Sequence, residues 1–154
     1  MKRFLSLWMF LLCFIGGAFA GVAESPYTYT FSTTEKTFTA DGTQTLGGVD
    51  WTLAVVWDDA TKTDYNKDGK QGMKIGSNSK VPSSMTLVSS AGDIPGTITS
   101  VKVKASSRSG AKALLKVKVG EKEFKYNEKT SAEVGSGSLT EYEFTGHARF
   151  GSYI

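Results

Sequence analysis

The chain has 154 residues, with 18 basic and 15 acidic side chains, one histidine and one cysteine. This length suits one domain with its own hydrophobic core and leaves no room for a second of ordinary size. Because the formal net charge is only +3 and no dense basic run occurs, the composition argues against nucleic-acid binding.

The first twenty residues have the pattern of a secretory signal peptide. A positive head at residues 1–3 precedes an apolar run over residues 4–15, and Ala18 and Ala20 supply the small residues of a cleavage site. The run is shorter than the roughly 20 residues that a membrane-spanning helix needs. We therefore predict export to the extracellular space or the periplasm, with residues 1–20 removed and residues 21–154 kept as a single domain without a transmembrane segment.

Cleavage at this site also changes the chemistry of the mature domain. It removes Cys13, the only cysteine, and with it any disulfide, thiol catalysis or cysteine metal site. It removes Lys2 and Arg3 as well, so the formal net charge falls from +3 to +1. The stability of the mature domain must then come from packing.

Hydrophobic alternation with a period of two dominates the mature chain and predicts half-buried β-strands. The first predicted strand alternates Tyr27, Tyr29 and Phe31 with polar residues. The clearest stripe spans residues 49–57, with apolar side chains at Val49, Trp51, Leu53, Val55 and Trp57. Further strands are predicted at residues 84–89, 97–105, 113–119, 123–126, 140–144 and 149–154.

Clusters of Gly, Asp and Pro separate these strands and predict repeated turns. Residues 119–122 have the pattern of a tight hairpin, with Gly120 first in a two-residue turn. Strands at spacings of roughly ten residues favour an antiparallel sandwich over a parallel sheet. We predict an all-β fold, a jelly-roll-like antiparallel β-sandwich.

Five segments follow an order seen in a group of secreted bacterial modules, namely residues 49–53, 71–76, 98–103, 115–124 and 142–146. In this order the chain resembles Bacteroidetes-type, galactose-binding-like jelly-roll modules over about residues 27–154. The resemblance implies the jelly-roll fold and, because that family includes carbohydrate-binding modules, a binding role. Such modules continue past a segment like residues 150–154, so the resemblance also implies truncation at the carboxyl end.

A missing last strand predicts an exposed sheet edge. An unpaired edge presents a row of N–H and C=O groups to which another chain can add. The resemblance places the first and last strands side by side, so we expect residues 27–31 to border the gap. The mature chain is then expected to associate with itself through this edge.

The sharpest chemical motif follows the long stripe, where Asp64, Asn66 and Asp68 alternate ahead of Gly69. Oxygen ligands at alternate positions with glycine sixth match the first half of a calcium loop. The twelfth position is Ile75 where a bidentate Glu is needed, which argues against an EF-hand. Two interpretations stay open: Ca²⁺ held by these three residues with closing ligands from elsewhere, or a polar turn without a metal.

Catalytic signatures are weak. The only histidine, His147, is predicted in a loop, and no Gly-x-Ser-x-Gly pattern occurs. Glu141 and Glu143 share one face of a strand, whereas a glycosidase pair must flank a bond across a cleft. We expect this face to be solvated and to lie opposite Lys116 and Lys118, and we predict no enzymatic activity.

Aromatic residues mark the candidate ligand site. A sugar ring packs its apolar face on a flat aromatic ring while its hydroxyls need polar neighbours. Trp57 ends the stripe beside Asp58, Asp59 and Tyr65, which together form this constellation. Core packing of Trp57 and an ordinary loop position for Tyr65 are the alternatives. Trp51, in the middle of the stripe, is predicted in the core.

These features favour a secreted, non-catalytic binding module for a carbohydrate or another cell-surface ligand. The first alternative is a structural or adhesion-type secreted protein with no small ligand. A more remote alternative is an accessory fragment of a glycoside hydrolase. Ca²⁺ is the one cofactor that the sequence suggests.

Overall fold

The computed structural model describes residues 27–68, 72–89, 94, 96–111 and 113–149, with the side chains of residues 66–68 and 149 left out. The predicted signal peptide, its cleavage site and residues 150–154 of the last predicted strand lie outside the described residues. Among the described residues there is no helix of the length and apolarity that crossing a bilayer requires.

Eleven strands follow one another along the described part of the chain. They are β1 (Gly42–Leu46), β2 (Val49–Trp57), β3 (Tyr65–Asp68), β4 (Gly72–Ile75), β5 (Pro82–Ser89), β6 (Thr97–Ala105), β7 (Ala113–Leu115), β8 (Val117–Val119), β9 (Lys122–Phe124), β10 (Ala132–Val134) and β11 (Thr140–Arg149). The prediction of an all-β protein is confirmed.

The strand pairings in this part of the chain are antiparallel, as predicted. One sheet has three strands in the order β1-β2-β5, and the other strands pair as β3-β4, β6-β11, β7-β10 and β8-β9. The predicted hairpin is confirmed, because Val119 pairs with Lys122 around Gly120, whose φ of 58° favours glycine.

The stripe predicted at residues 49–57 forms β2 with the same bounds. Its inward side chains are buried or half-buried and its outward side chains are exposed. The Nε1 of Trp51 donates a 2.9 Å hydrogen bond to the Oη of Tyr27, and the two rings stack with centroids 6.2 Å apart. Trp51 faces inward, as predicted, but it is half-buried and packs against the buried residues instead of lying among them.

Three predicted segments differ in the structure. Residues 27–31 alternate between half-buried and exposed but form no strand, because they attach through side chains: the Oη of Tyr27 donates to the carbonyl oxygen of Leu46 at 2.6 Å. Residues 113–119 form two strands, since β7 pairs with β10 while β8 pairs with β9. His147 lies within β11 rather than in a loop.

Most of the buried side chains form two hydrophobic clusters, one in each half of the chain. The first consists of Phe38, Leu46, Leu53 and Val55. The second consists of Val119, Phe124, Ala132, Val134, Tyr142, Phe144 and Ala148. The assignment of residues 21–154 to a single domain stays a prediction.

Gly146 is required where β11 passes over the fully buried ring of Phe124. The register of β11 against β6 shifts between Thr145 and Ala148, and a β-carbon at position 146 would lie 2.5 Å from the Cδ1 of Phe124. We expect Gly146→Ala to lower the free energy of unfolding by about 1–3 kcal/mol, the usual cost of overpacking. Urea denaturation measures this change.

Gly135→Ala is the matched control. A β-carbon there would lie 3.7 Å from the Oη of Tyr142, which is an ordinary contact. Its free energy of unfolding should equal or exceed that of the wild type, because alanine restricts the unfolded chain. Equal stabilities of the two variants would contradict the close approach of β11 to Phe124.

Candidate functional site

A groove of about 450 Å³ opens along β11, on the side away from β6. Its lining combines the segment after β9 with the exposed face of β11, and consists of Lys125, Tyr126, Asn127, Glu128, Glu141, Glu143 and Thr145.

Backbone hydrogen bonds hold the two walls of the groove together. Two backbone hydrogen bonds join Lys125 and Thr145. The N–H of Lys125 donates to the C=O of Thr145 at 2.9 Å, and the N–H of Thr145 donates to the C=O of Lys125 at 2.8 Å. The N–H and C=O groups of successive residues in an antiparallel strand point alternately to its two edges. Those of Glu143 therefore point to the same edge of β11 as those of Thr145. Tyr126 and Lys129 close the adjoining turn with bonds of 2.8 and 3.0 Å.

Two residues of this turn carry backbone strain. Asn127 and Glu128 have φ values of 47° and 65°, and among the described residues they are the non-glycine residues with positive φ. A turn with two positive φ values favours Asn followed by Gly. Glutamate at the second position therefore costs free energy, and strain of this kind clusters at functional sites.

Tyr126 is the aromatic residue in the lining of the groove. Its half-buried ring packs against Tyr142 and Phe144, with centroid distances of 5.6 and 5.7 Å. These contacts place the ring on the core face of β11, and Tyr126 is also one of the residues that line the groove. The lining of the groove thus combines one aromatic residue with polar groups.

Glu141 and Glu143 are exposed, as predicted. The prediction that Lys116 and Lys118 lie opposite them is wrong. The structure pairs β11 with β6, so the neighbours are Lys102 and Lys104 instead of the lysines of residues 116–118. Lys102 lies 3.7 Å from Glu141 and 3.6 Å from Glu143. Lys104 lies 3.8 Å from Glu141.

Glu143 is held as an ionised hydrogen-bond acceptor. The Oγ of Ser100 donates a 2.7 Å hydrogen bond to its Oε1. This bond, together with the charge of Lys102, holds the pKa of the Glu143 carboxyl below its usual value. The carboxylate therefore stays charged and oriented at neutral and mildly acidic pH.

The structure brings together two members of the predicted ligand site, Trp57 and Tyr65. Their rings meet edge to face at 5.5 Å, and the Nε1 of Trp57 donates to the Oη of Tyr65 at 3.4 Å. That hydroxyl donates in turn to the Oδ1 of Asp41 at 2.6 Å, which also accepts the backbone N–H of Val55 at 3.0 Å. Both rings are half-buried against the first cluster.

Of the other two members, Asp58 binds β5 and Asp59 binds the loop that follows β2. Asp58 accepts a short hydrogen bond from the Oγ of Ser83. Asp59 accepts bonds of 3.0 and 2.7 Å from the N–H and hydroxyl of Thr61 and lies 2.9 Å from the Nζ of Lys62. Thr61 and Lys62 lower the pKa of the Asp59 carboxyl. These hydrogen bonds of the two carboxylates thus go to residues other than the aromatic pair.

The calcium motif does not form the predicted loop. Residues 65–68 are strand β3, which pairs with β4. Asn66 and Asp68 are therefore alternate residues of an extended chain, with their α-carbons about 6.6 Å apart. The carbonyl oxygen of Asp64 accepts the N–H of Gly76 at 2.8 Å. The side chains of Asn66 and Asp68 lie outside the described part of the structure. Calcium binding stays a prediction.

Among the described residues no group of three or more His, Cys, Asp or Glu side chains is placed to hold a metal ion. Comparisons with protein-family models, curated proteins and solved structures gave no match to this chain. The resemblance to galactose-binding-like modules therefore stays an interpretation of the sequence.

The groove is not evident from the amino-acid sequence, although Glu141 and Glu143 stand out in it as a pair on one strand face. One local signal was present: Asn127 and Glu128 stand between Tyr126 and Lys129, in the position of a two-residue turn. The groove itself depends on the pairing of Lys125 with Thr145, which are far apart in sequence.

Replacing the strained glutamate tests the geometry of the turn. We expect Glu128→Gly to raise the free energy of unfolding by about 1 kcal/mol, because glycine removes the cost of positive φ. Glu121→Gly is the control, since Glu121 also stands second in a two-residue turn but without positive φ. The free energy of unfolding of that variant should fall by about 0.5–1 kcal/mol. If urea denaturation shows a lower free energy of unfolding in both variants, the strain at Glu128 is contradicted.

The hydroxyl of Tyr65 should make stability depend on alkaline pH. Burial, and then the hydrogen bond to Asp41, raise the pKa of Tyr65 above its ordinary value of 10.0. The unfolded chain therefore loses this proton first as pH rises. The protonated hydroxyl therefore makes its full contribution to the free energy of unfolding below about pH 10. This contribution is lost as pH rises through the pKa of Tyr65 in the folded protein.

Melting temperatures measured from pH 8 to pH 12 test this expectation. The loss of stability above about pH 10 should be smaller in Tyr65→Phe than in the wild type. Tyr29→Phe is the control, because the Tyr29 ring packs on the same cluster and its hydroxyl has no hydrogen bond within the described residues. A Tyr65→Phe curve parallel to that of the wild type would refute the assignment.

Proposed function

We propose that this protein is a secreted, non-catalytic binding module whose groove along β11 binds a neutral carbohydrate. The observation that carries the proposal is the composition of the groove, whose lining residues include the aromatic Tyr126, the amide of Asn127 and the carboxylates of Glu141 and Glu143. Sugar recognition combines these two elements, an aromatic face and fixed polar partners.

The charges of the groove favour a neutral ligand. Each carboxylate has a lysine within 4.0 Å: Glu141 and Glu143 pair with Lys102, and Glu128 pairs with Lys125. Because these charges are compensated within the protein, a charged ligand would gain little net attraction. A hydroxyl group can still donate to the oriented carboxylate of Glu143 and keep its ion pair in place.

The all-β, antiparallel architecture supports a jelly-roll-like, galactose-binding-like β-sandwich as the finer fold. Its strands alternate buried and exposed side chains, as the strands of a sandwich do. The pattern of residues 1–20 supports secretion to the extracellular space or the periplasm. The site at Trp57 and Tyr65 is the second candidate for the sugar, since its two rings are brought into contact.

A glycan array followed by titration calorimetry on the best ligand tests the proposal. We expect Glu143→Gln to weaken binding about tenfold or more, because a hydrogen bond to a charged acceptor contributes about 1.5–3 kcal/mol. Glu123→Gln is the matched control, since Glu123 is an exposed strand residue 4.0 Å from Lys118 and lies outside the groove. Its affinity should equal that of the wild type.

Other outcomes separate the alternatives. Loss of binding in Trp57→Phe with full binding in Glu143→Gln would move the site to the Trp57–Tyr65 pair. Absence of any bound glycan would favour the structural or adhesion-type role. Release of new reducing ends from the bound glycan would contradict a non-catalytic module.

A further inference from the structure

We propose that β5 is a self-association edge, through which two copies of this chain pair antiparallel to form one continuous six-stranded sheet. In the order β1-β2-β5, β5 stands at the end of its sheet, and within the described residues only its β2 side is paired. The second copy adds to the other side, where N–H and C=O groups alternate along the strand.

The composition of β5 makes it a receptive edge. It is eight residues long and contains no charged side chain. Natural edge strands are blunted by charges, proline, bulges or shortness. In β5 the proline is the first residue, Pro82, and the register irregularity falls at Ser83 beside it, so residues 84–89 form a regular and uncharged edge.

Other strand edges in the described part carry the protective features that β5 lacks. The outward faces of β6 and β11 carry charged side chains, with Lys102 and Lys104 facing Glu141 and Glu143. The register of β11 also shifts between residues 145 and 148. β1, the opposite edge of the same sheet, has only five residues. The contrast singles out β5.

Two apolar side chains of β5 are exposed in the single copy. Met85 stands opposite the buried Val55, on the inner face of the sheet, yet 48% of its surface is exposed. Val88 on the outer face is 59% exposed. An inward-facing methionine stays uncovered when no strand lies beyond its own, and a paired second copy would cover it.

A two-fold axis through Thr86 gives a pairing that preserves both faces of the sheet. Thr86 then lies opposite its own copy, Met85 opposite Leu87 of the second copy, and Val88 opposite Ser84 of the second copy. Met85 and Leu87 both belong to the inner face, so the apolar row of the first sheet continues into the second. Because the strand has no charges, the pairing brings no like charges together.

Sedimentation velocity over a concentration series tests the proposal on the purified protein. We expect the wild type to form a dimer with rising concentration. Thr86→Lys should weaken the dimer about tenfold or more, because it places two lysines side by side at the axis. Thr43→Lys makes the same exchange on the outward face of β1 and should dimerise as the wild type does. Circular dichroism confirms that both variants are folded.

Hydrogen exchange on the wild type at low and high concentration locates the interface without a mutation. Amides of β5 should exchange more slowly at high concentration, while those of β1 should not change. A monomer at every accessible concentration would overturn the proposal. So would a dimer that resists Thr86→Lys, one that Thr43→Lys dissociates, or one that protects β1 instead of β5.

Discussion

The pairing of β6 with β11 is the constraint on which the second half of the molecule depends. Its register sets Tyr142 opposite Val103 and Phe144 opposite Val101, which turns these rings into the second cluster. The same register turns Glu141 and Glu143 outward, toward the lysines of β6. A slip of one residue would exchange the two faces, burying the carboxylates and exposing the rings. The core and the proposed groove are therefore two sides of one hydrogen-bonded ladder.

In the first half of the molecule, hydrogen bonds of aromatic side chains link the segments that surround β2. Tyr27 links the carbonyl group of Leu46 to the indole of Trp51, and Tyr65 links the indole of Trp57 to Asp41. Each hydroxyl connects a segment outside the three-stranded sheet to an inward side chain of β2. Such bonds satisfy polar groups that packing would otherwise leave unpaired, at a net gain of about 1 kcal/mol each.

The two proposals rest on different properties of β-strands. The groove along β11 uses side chains and backbone of a strand that is well protected by charge, so it suits a small polar ligand. The edge of β5 lacks charge and keeps Met85 exposed beside the buried Val55, so it suits another strand. Both sites can act in one protein, because binding of a sugar and pairing of β5 involve different strands.

The amino-acid sequence by itself determined which residues form most strands and which way their side chains point, because burial on one face imposes a period of two. It predicted β2 and β6 with their full bounds and the hairpin at Gly120. Pairing between distant segments was decided only in the tertiary structure. The oxygen-rich motif at Asp64 became strand β3 because β4 pairs with it, and Glu141 met Lys102 rather than Lys118 because β11 pairs with β6. The local sequence pattern predicts which side chains of a strand face the core. Which strand it pairs with depends on hydrogen bonds between residues that are far apart in the chain.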